Sequence, residues 1–182
     1  MLLVLVTGCG VVLAPPAENI QGRWWTWAPS EGEDTNPVTD TTGEFCARNQ
    51  PADVWFLAGT FGGTVRRTCM IPAGRPLVLP LVNKAGTRAQ CAEFMATAKG
   101  KATLDGKQAT PERMEDDDVL VTGVPGNPQT GEEGPMKSFA CGLWVRLSPL
   151  NPGRHVLTIR GSSAGFRTGV DYTLIVKPEQ RA

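Results

Sequence analysis

The chain has 182 residues and is neutral overall, with 18 basic and 18 acidic side chains. No single element gathers Lys and Arg into a basic stripe, which argues against nucleic acid as a partner. Its 21 glycines and 15 prolines leave few long runs of helix-forming residues, a composition that suits short strands joined by turns in one domain with a sizeable core.

The first element is an apolar run, Met1-Leu2-Leu3-Val4-Leu5-Val6-Thr7-Gly8-Cys9-Gly10. Val6-Thr7-Gly8-Cys9 resembles the bacterial lipobox. The resemblance implies cleavage before Cys9, diacylglycerol on its thiol, and a mature protein held to a membrane outside the cytoplasm. A secretory leader opens with a positively charged segment and runs about 15–30 residues. Here the first Lys or Arg is Arg23, so the charged part is expected upstream of Met1. An ordinary cleaved leader is the alternative, but Pro15 and Pro16 follow its one small-x-small candidate, Val12-Leu13-Ala14. A transmembrane anchor needs roughly 20 apolar residues, more than residues 1–14 supply. Residues 1–8 are therefore read as leader, 9–17 as tether, 18–178 as one β-sandwich domain and 179–182 as a polar tail.

Residues 17–28 carry Ile20, Trp24 and Trp27 at i, i+4 and i+7, a helical stripe, weakened at Gly22 by about 1 kcal/mol relative to Ala. Trp25 and Trp27 would also alternate in a strand. Residues 29–51, rich in Gly, Pro, Asp, Thr and Asn, read as a long irregular segment pinned by Cys46. The apolar run 53–58 is expected as a strand covered on both faces. Strands follow at 64–71 and 75–83, with Pro80 implying an edge or a bulge in the second. A helix is expected over 87–98, where Cys91, Phe94, Met95 and Ala98 share one face. Asp105-Gly106 marks a hairpin within 102–109. Strands at 118–124, 138–147, 155–161 and 169–176 complete the set, with a Gly/Pro/Asn-rich loop over 125–135. Seven or eight such strands predict a mainly all-β protein, an antiparallel sandwich or jelly roll with one or two short helices. The last two strands resemble the closing hairpin of an immunoglobulin-like or carbohydrate-binding sandwich, which fixes no function.

With Cys9 lipidated, Cys46, Cys69, Cys91 and Cys141 remain. Four cysteines in an oxidising compartment allow three pairings. Cys46–Cys69 with Cys91–Cys141 is favoured, because the first two bracket one hairpin. A bridge closing such a loop contributes on the order of 3 kcal/mol. A zinc site is the competing reading; it lacks a C-x-x-C pair, and His155 is the single histidine.

Arg23-Trp24-Trp25-Thr26-Trp27, Asn36-Pro37, Asp40-Thr41-Thr42-Gly43, Cys46, Gln50, residues 54–60 (Val-Trp-Phe-Leu-Ala-Gly-Thr), and Arg67-x-Cys69-x-Ile71-Pro72-x-Gly74 form a long pattern. It resembles that of a set of uncharacterised secreted bacterial proteins. The resemblance spans roughly residues 23–83 and implies no activity.

Few motifs carry chemistry. Asp40-Thr41-Thr42-Gly43 falls short of the aspartic-protease D-[ST]-G, since a Thr intervenes and no second copy supplies the partner carboxylate. Asp40 and Thr42 are expected to cap a turn instead. Glu115, Asp116, Asp117 and Asp118 are weak calcium candidates; a solvated loop of repelling charges is the preferred reading, and no other cofactor is implied. Asp34 and Asp40 are lesser oxygen donors for the ion. His155 is the one side chain with an ordinary pKa near 7, without a G-x-S-x-G elbow to serve; Ser162-Ser163 lies at a strand end. It is expected partly buried at a strand start. Arg66 and Arg67 should point to opposite faces, and whichever turns inward, like Arg75 nearby, is expected to pair with a carboxylate such as Glu44 or Asp53. Trp24, Trp25 and Trp27 form a cluster whose first reading is core packing, as for Trp55 and Trp144. Its second is a sugar-stacking platform with Trp25 most exposed.

The expectation for function is thus a lipid-anchored extracytoplasmic β-sandwich with a non-enzymatic binding or structural role at the bacterial envelope. Its partners are the membrane through Cys9 and an envelope protein or glycan. A carbohydrate-binding module using Trp24, Trp25 and Trp27 is the alternative, and an envelope hydrolase the third.

Overall fold

The computed structural model describes residues 19–178. The expected leader, lipidation site Cys9, tether and tail lie outside the described residues, as do the side chains of Asp116 and Asp117. In chain order the elements are α1 (Ile20–Trp27), β1 (Trp55–Phe56), β2 (Gly63–Pro72), β3 (Leu77–Gly86), α2 (Arg88–Thr97), β4 (Lys99–Leu104), β5 (Lys107–Ala109), β6 (Glu112–Gly123), β7 (Gly134–Leu147), β8 (Gly153–Ser163) and β9 (Phe166–Lys177).

The strands form two open sheets, ordered β1-β3-β7-β6 and β2-β9-β8-β4-β5. The sandwich and the two helices match the expected fold class. Both sheets are mixed: β1 runs parallel to β3 and β2 parallel to β9, while the other pairs are antiparallel. A hairpin cannot join parallel neighbours, so β2 and β9 meet across most of the sequence. Within the run 53–58, Asp53 is exposed and residues 54–58 are buried, but only Trp55 and Phe56 enter a ladder.

The core between the sheets includes Leu79, Leu81 and Val145 from one and Leu157, Ile159, Val170 and Leu174 from the other. Pro80 lies in a central strand, and its missing N–H is absorbed by a bulge between Pro80 and Val82. The bulge drives Leu81 across the sandwich, where Gly100 and Gly161 make room. A Cβ on Gly161 would stand 1.9 Å from the Leu81 carbonyl oxygen, and one on Gly100 2.7 Å from the Leu81 Cβ. The four-stranded sheet is covered on its outer face as well, by α1 and the segment 29–51; Trp24, Trp27, Val38, Phe56, Val78 and Trp144 form that second cluster. The five-stranded sheet keeps its outer face in solvent, and β2 accordingly alternates exposed and buried positions along its inner half.

Helix α1 starts at Asn19, whose side chain accepts from the backbone of Gln21 and Gly22. Gly22 lets the helix approach β6, since a Cβ there would lie 3.4 Å from Val119. Helix α2 begins with a capping box in which Thr87 and Gln90 exchange hydrogen bonds. Its Cys91 is bonded to Cys141 of β7, and Cys46 is bonded to Cys69 of β2. Both expected pairings form. The two disulfides belong to an oxidising, extracytoplasmic compartment, and among the described residues no helix is long and apolar enough to cross a membrane.

The acidic run is not a loop. Residues 115–118 lie within β6, with a register irregularity between Met114 and Asp117. This strand is the sheet's edge, where charges are tolerated and discourage pairing with a second chain.

Candidate binding cleft

Arg67 departs most from expectation. It is 2% exposed, while Arg66 faces solvent, and no carboxylate among the described residues bonds it. Its guanidinium instead donates to the backbone oxygens of Val38 (2.9 Å), Asp40 (2.7 Å), Ala58 (3.1 Å) and Gly59 (3.0 Å) and to the Tyr172 hydroxyl (3.0 Å). Converging carbonyl dipoles do the work of an anion here. Neither expected acid reaches it: Asp53 takes both nitrogens of Arg23, at 2.9 and 2.5 Å. Arg75 donates to the Pro51 carbonyl and lies over Trp55.

Asp40 caps a turn, as expected. Its Oδ1 accepts from the Thr42 and Gly43 amides and the Thr42 hydroxyl, its Oδ2 from the Phe45 amide. Burial pushes its pKa up, but the Thr42, Phe45 and Gly43 amides outweigh this and hold it below the usual carboxylate range. Gln50 bonds Cys46 and both polar groups of Phe56, and Asn36 bonds Ala28, Glu31 and Val38. Of the sequence pattern, Gln50 and Arg67 thus tie segment 29–51 to β1 and β2, while Asn36 and Asp40 brace the segment's own turns.

His155 stands at the start of β8, its side chain 17% exposed. Nδ1 lies 2.7 Å from Asp105 Oδ2 and Nε2 2.9 Å from the Asn151 carbonyl. Both nitrogens donate when the ring is protonated, so Asp105 first and Asn151 second raise its pKa, and no nitrogen is left to deprotonate a nucleophile. Ser163 lies at the far end of the same strand, its hydroxyl donating to Phe94 O. The raised His155 pKa stabilises the fold below the unfolded value of 6.5, and this contribution is lost as pH rises through the folded value. Asp105, lowered first by the Val156 amide and then by His155, loses its contribution as pH falls below about 4. We expect the unfolding free energy to drop by less than about 1 kcal/mol between pH 6.5 and 8, and His155→Asn to flatten that part of the profile in chemical denaturation; an unchanged slope would refute the assignment.

Of the acidic run, Glu115 pairs with Arg113, and exposed Asp118 accepts from Arg88 at 2.9 Å. No group of three or more His, Cys, Asp or Glu gathers among the described residues.

The tryptophans divide. Trp24 and Trp27 are 3% and 4% exposed, and their indole N–H groups donate to Leu57 O and Arg48 O. Trp144 donates to Gln21 Oε1, a fully buried partner that helix periodicity did not single out. Trp25 is half-buried, set edge-on against Trp24 at 5.1 Å. It lines a cleft of about 120 Å3 with Trp24, Pro80, Asn83, Gln129 and the rim residues Phe61 and Phe166, which are 54% and 37% exposed. The bulge turns Asn83 outward opposite Gly142, whose absent side chain leaves it space; a Cβ there would lie 2.8 Å from the Asn83 Cβ. Trp25 Nε1 and Asn83 Nδ2 are both buried without an acceptor among the described residues. Each is a donor that a ligand oxygen could satisfy once a side-chain turn exposes it to the cleft. Neither a protein-family model nor a curated protein matches this sequence.

Proposed function

We propose that the protein is a lipid-anchored, extracytoplasmic binding protein of the bacterial envelope, tethered at Cys9, with its ligand site at the cleft between α1 and β3. The observation that carries the binding role is the aromatic cleft itself, two of whose lining residues, Trp25 and Asn83, each hold a buried, unpaired donor in its walls. The lipobox-like run and the disulfides support the location. The engaged His155 nitrogens and the turn-capping Asp40 favour binding over hydrolysis. A carbohydrate is the second reading, favoured by Trp25 standing beside the amides of Asn83 and Gln129, the pairing of aromatic face and side-chain amide that holds a sugar ring.

Intact mass of protein recovered from bacterial membranes tests the anchor: a diacylglyceryl shift on Cys9 is expected, and an unmodified thiol overturns it. The cleft is tested by Trp fluorescence during titration with neutral and N-acetylated oligosaccharides. Asn83→Leu removes a buried unpaired donor, so it should raise stability by about 1–2 kcal/mol while weakening any quenching at least tenfold. Lower stability with unchanged quenching would show that Asn83 serves the fold alone.

A further inference from the structure

The outer face of the five-stranded sheet assembles a basic groove that no single strand contains. Cross-strand register sets Lys99 beside Ser162 and Ser162 beside Arg167; in the next outward row Lys101 is beside Arg160, Arg160 beside Gly169, and Gly169 beside Thr64. Adjacent strands are about 4.8 Å apart and the two rows about 6.6 Å apart. Four cations therefore converge on a recess of about 480 Å3 that no carboxylate side chain lines. Arg160 is fixed, bonded to Asp171 at 2.7 Å and to the Ile159 carbonyl. Lys99, Lys101 and Arg167 are exposed and have no carboxylate partner among the described residues. Gly169 leaves the floor open, since a Cβ there would meet Thr64 Oγ1 at 2.8 Å and Arg160 Cδ at 3.1 Å. In a chain of zero net charge, such a cluster is a local field that attracts anions.

We infer that this groove binds an acidic polysaccharide, a sugar chain bearing carboxylate or phosphate groups, at a site separate from the aromatic cleft. Charge complementarity selects a polyanion, and the hydroxyls of Thr64 and Ser162 in the lining can bond sugar hydroxyls. Single-stranded nucleic acid is disfavoured because no aromatic ring lines the groove to stack a base, and the disulfides place the protein where sugar-based polyanions are the available ones. A flat anionic membrane fits a recess poorly. Of the exposed apolar side chains that could anchor one, Met70 and Val156 lie toward the opposite end of these strands, and Phe61 and Phe166 at the near end form the rim of the aromatic cleft.

The test is calorimetric titration at low salt with oligogalacturonate, poly(glycerol phosphate), a neutral malto-oligosaccharide of equal length, oligo(dT) and vesicles of anionic phospholipid. We expect one or both acidic sugar polymers to bind and the neutral chain not to. The triple variant Lys99→Ala/Lys101→Ala/Arg167→Ala should weaken binding at least 30-fold and flatten its salt dependence by about two logarithmic units per decade of salt. Arg48→Ala/Lys84→Ala/Lys137→Ala removes the same charge elsewhere and should change affinity less than threefold. Equal losses in the two triples would reduce the effect to net charge and overturn the groove. So would binding of neither acidic polymer, or preferential binding of oligo(dT) or vesicles. Asn83→Leu leaves the groove intact and should retain polymer binding, so failure of the cleft and failure of the groove are distinguishable.

Discussion

Replacing Arg67 by methionine is expected to cost about 3–5 kcal/mol, a large share of the roughly 5–15 kcal/mol that holds a domain of this kind together. The side chain reaches five acceptors across three parts of the chain: residues 38 and 40, residues 58 and 59, and Tyr172 of β9. Removing it takes a donor from the carbonyls of Val38, Asp40 and Gly59, while that of Ala58 keeps Tyr172, and it leaves the Cys46–Cys69 disulfide and the Thr68 amide to hold segment 29–51 to β2. Tyr172 both accepts from the Ala58 amide and donates to the Ala58 carbonyl, so it keeps only part of the junction. Arg67→Lys should recover less than half of the loss, because an ammonium directs its bonds from one point and lacks the planar fork. Guanidinium unfolding measures both variants, and losses below about 1 kcal/mol for either would show the carbonyl cage to be unimportant. Should the methionine variant fail to fold, the lysine variant carries the comparison.

Arg67 also shows where a sequence stops being readable. Its inward direction follows from strand alternation, since Arg66 and Arg67 must face opposite ways. Its partners do not follow, because backbone carbonyls of an irregular segment carry no residue code. Local signals fared well: the shared face of Cys91, Phe94, Met95 and Ala98 locates α2, Asp105-Gly106 turns β4 into β5, and the alternation of Phe139, Cys141, Leu143 and Val145 marks β7. Signals that depend on distant pairing did not. Nothing near β2 or β9 announces that they lie side by side in parallel. The acidic residues 115–118 have poor strand propensity, and only the ladder with β7 holds them extended at the sheet edge. The basic groove draws one or two cations from each of three strands, so a search for a charged run along any one of them finds nothing. For the cleft, the tryptophans were visible but Asn83 was not. Its outward direction depends on the bulge at Pro80, and a proline signals a bulge without saying which later side chain it turns.

The two disulfides are expected to differ in what their removal releases. In the chain-entropy account, a bridge spanning 23 residues contributes about 3 kcal/mol and one spanning 50 about 4 kcal/mol. The Cys91→Ala/Cys141→Ala pair should therefore lose more than the Cys46→Ala/Cys69→Ala pair in guanidinium unfolding. Local consequences should diverge further. Helix α2 has ten residues and buries Cys91 and Met95, too short a helix to persist by propensity alone. Without its bond to β7, its amides should exchange at least tenfold faster while those of β8 and β9 stay protected. Segment 29–51 keeps the bonds of Arg67 and Gln50 and the Thr68 amide to Thr42 after Cys46 and Cys69 are gone, so its exchange should rise far less. Because Arg67 and Cys69 both face inward from β2 onto that segment, the Arg67→Lys loss should grow by about 1 kcal/mol or more in the Cys46→Ala/Cys69→Ala background. Strict additivity there would mean that the carbonyl cage and the disulfide secure the segment independently, and protection of α2 that survives loss of Cys91–Cys141 would place the helix's stability in its capping box and the packing of Met95.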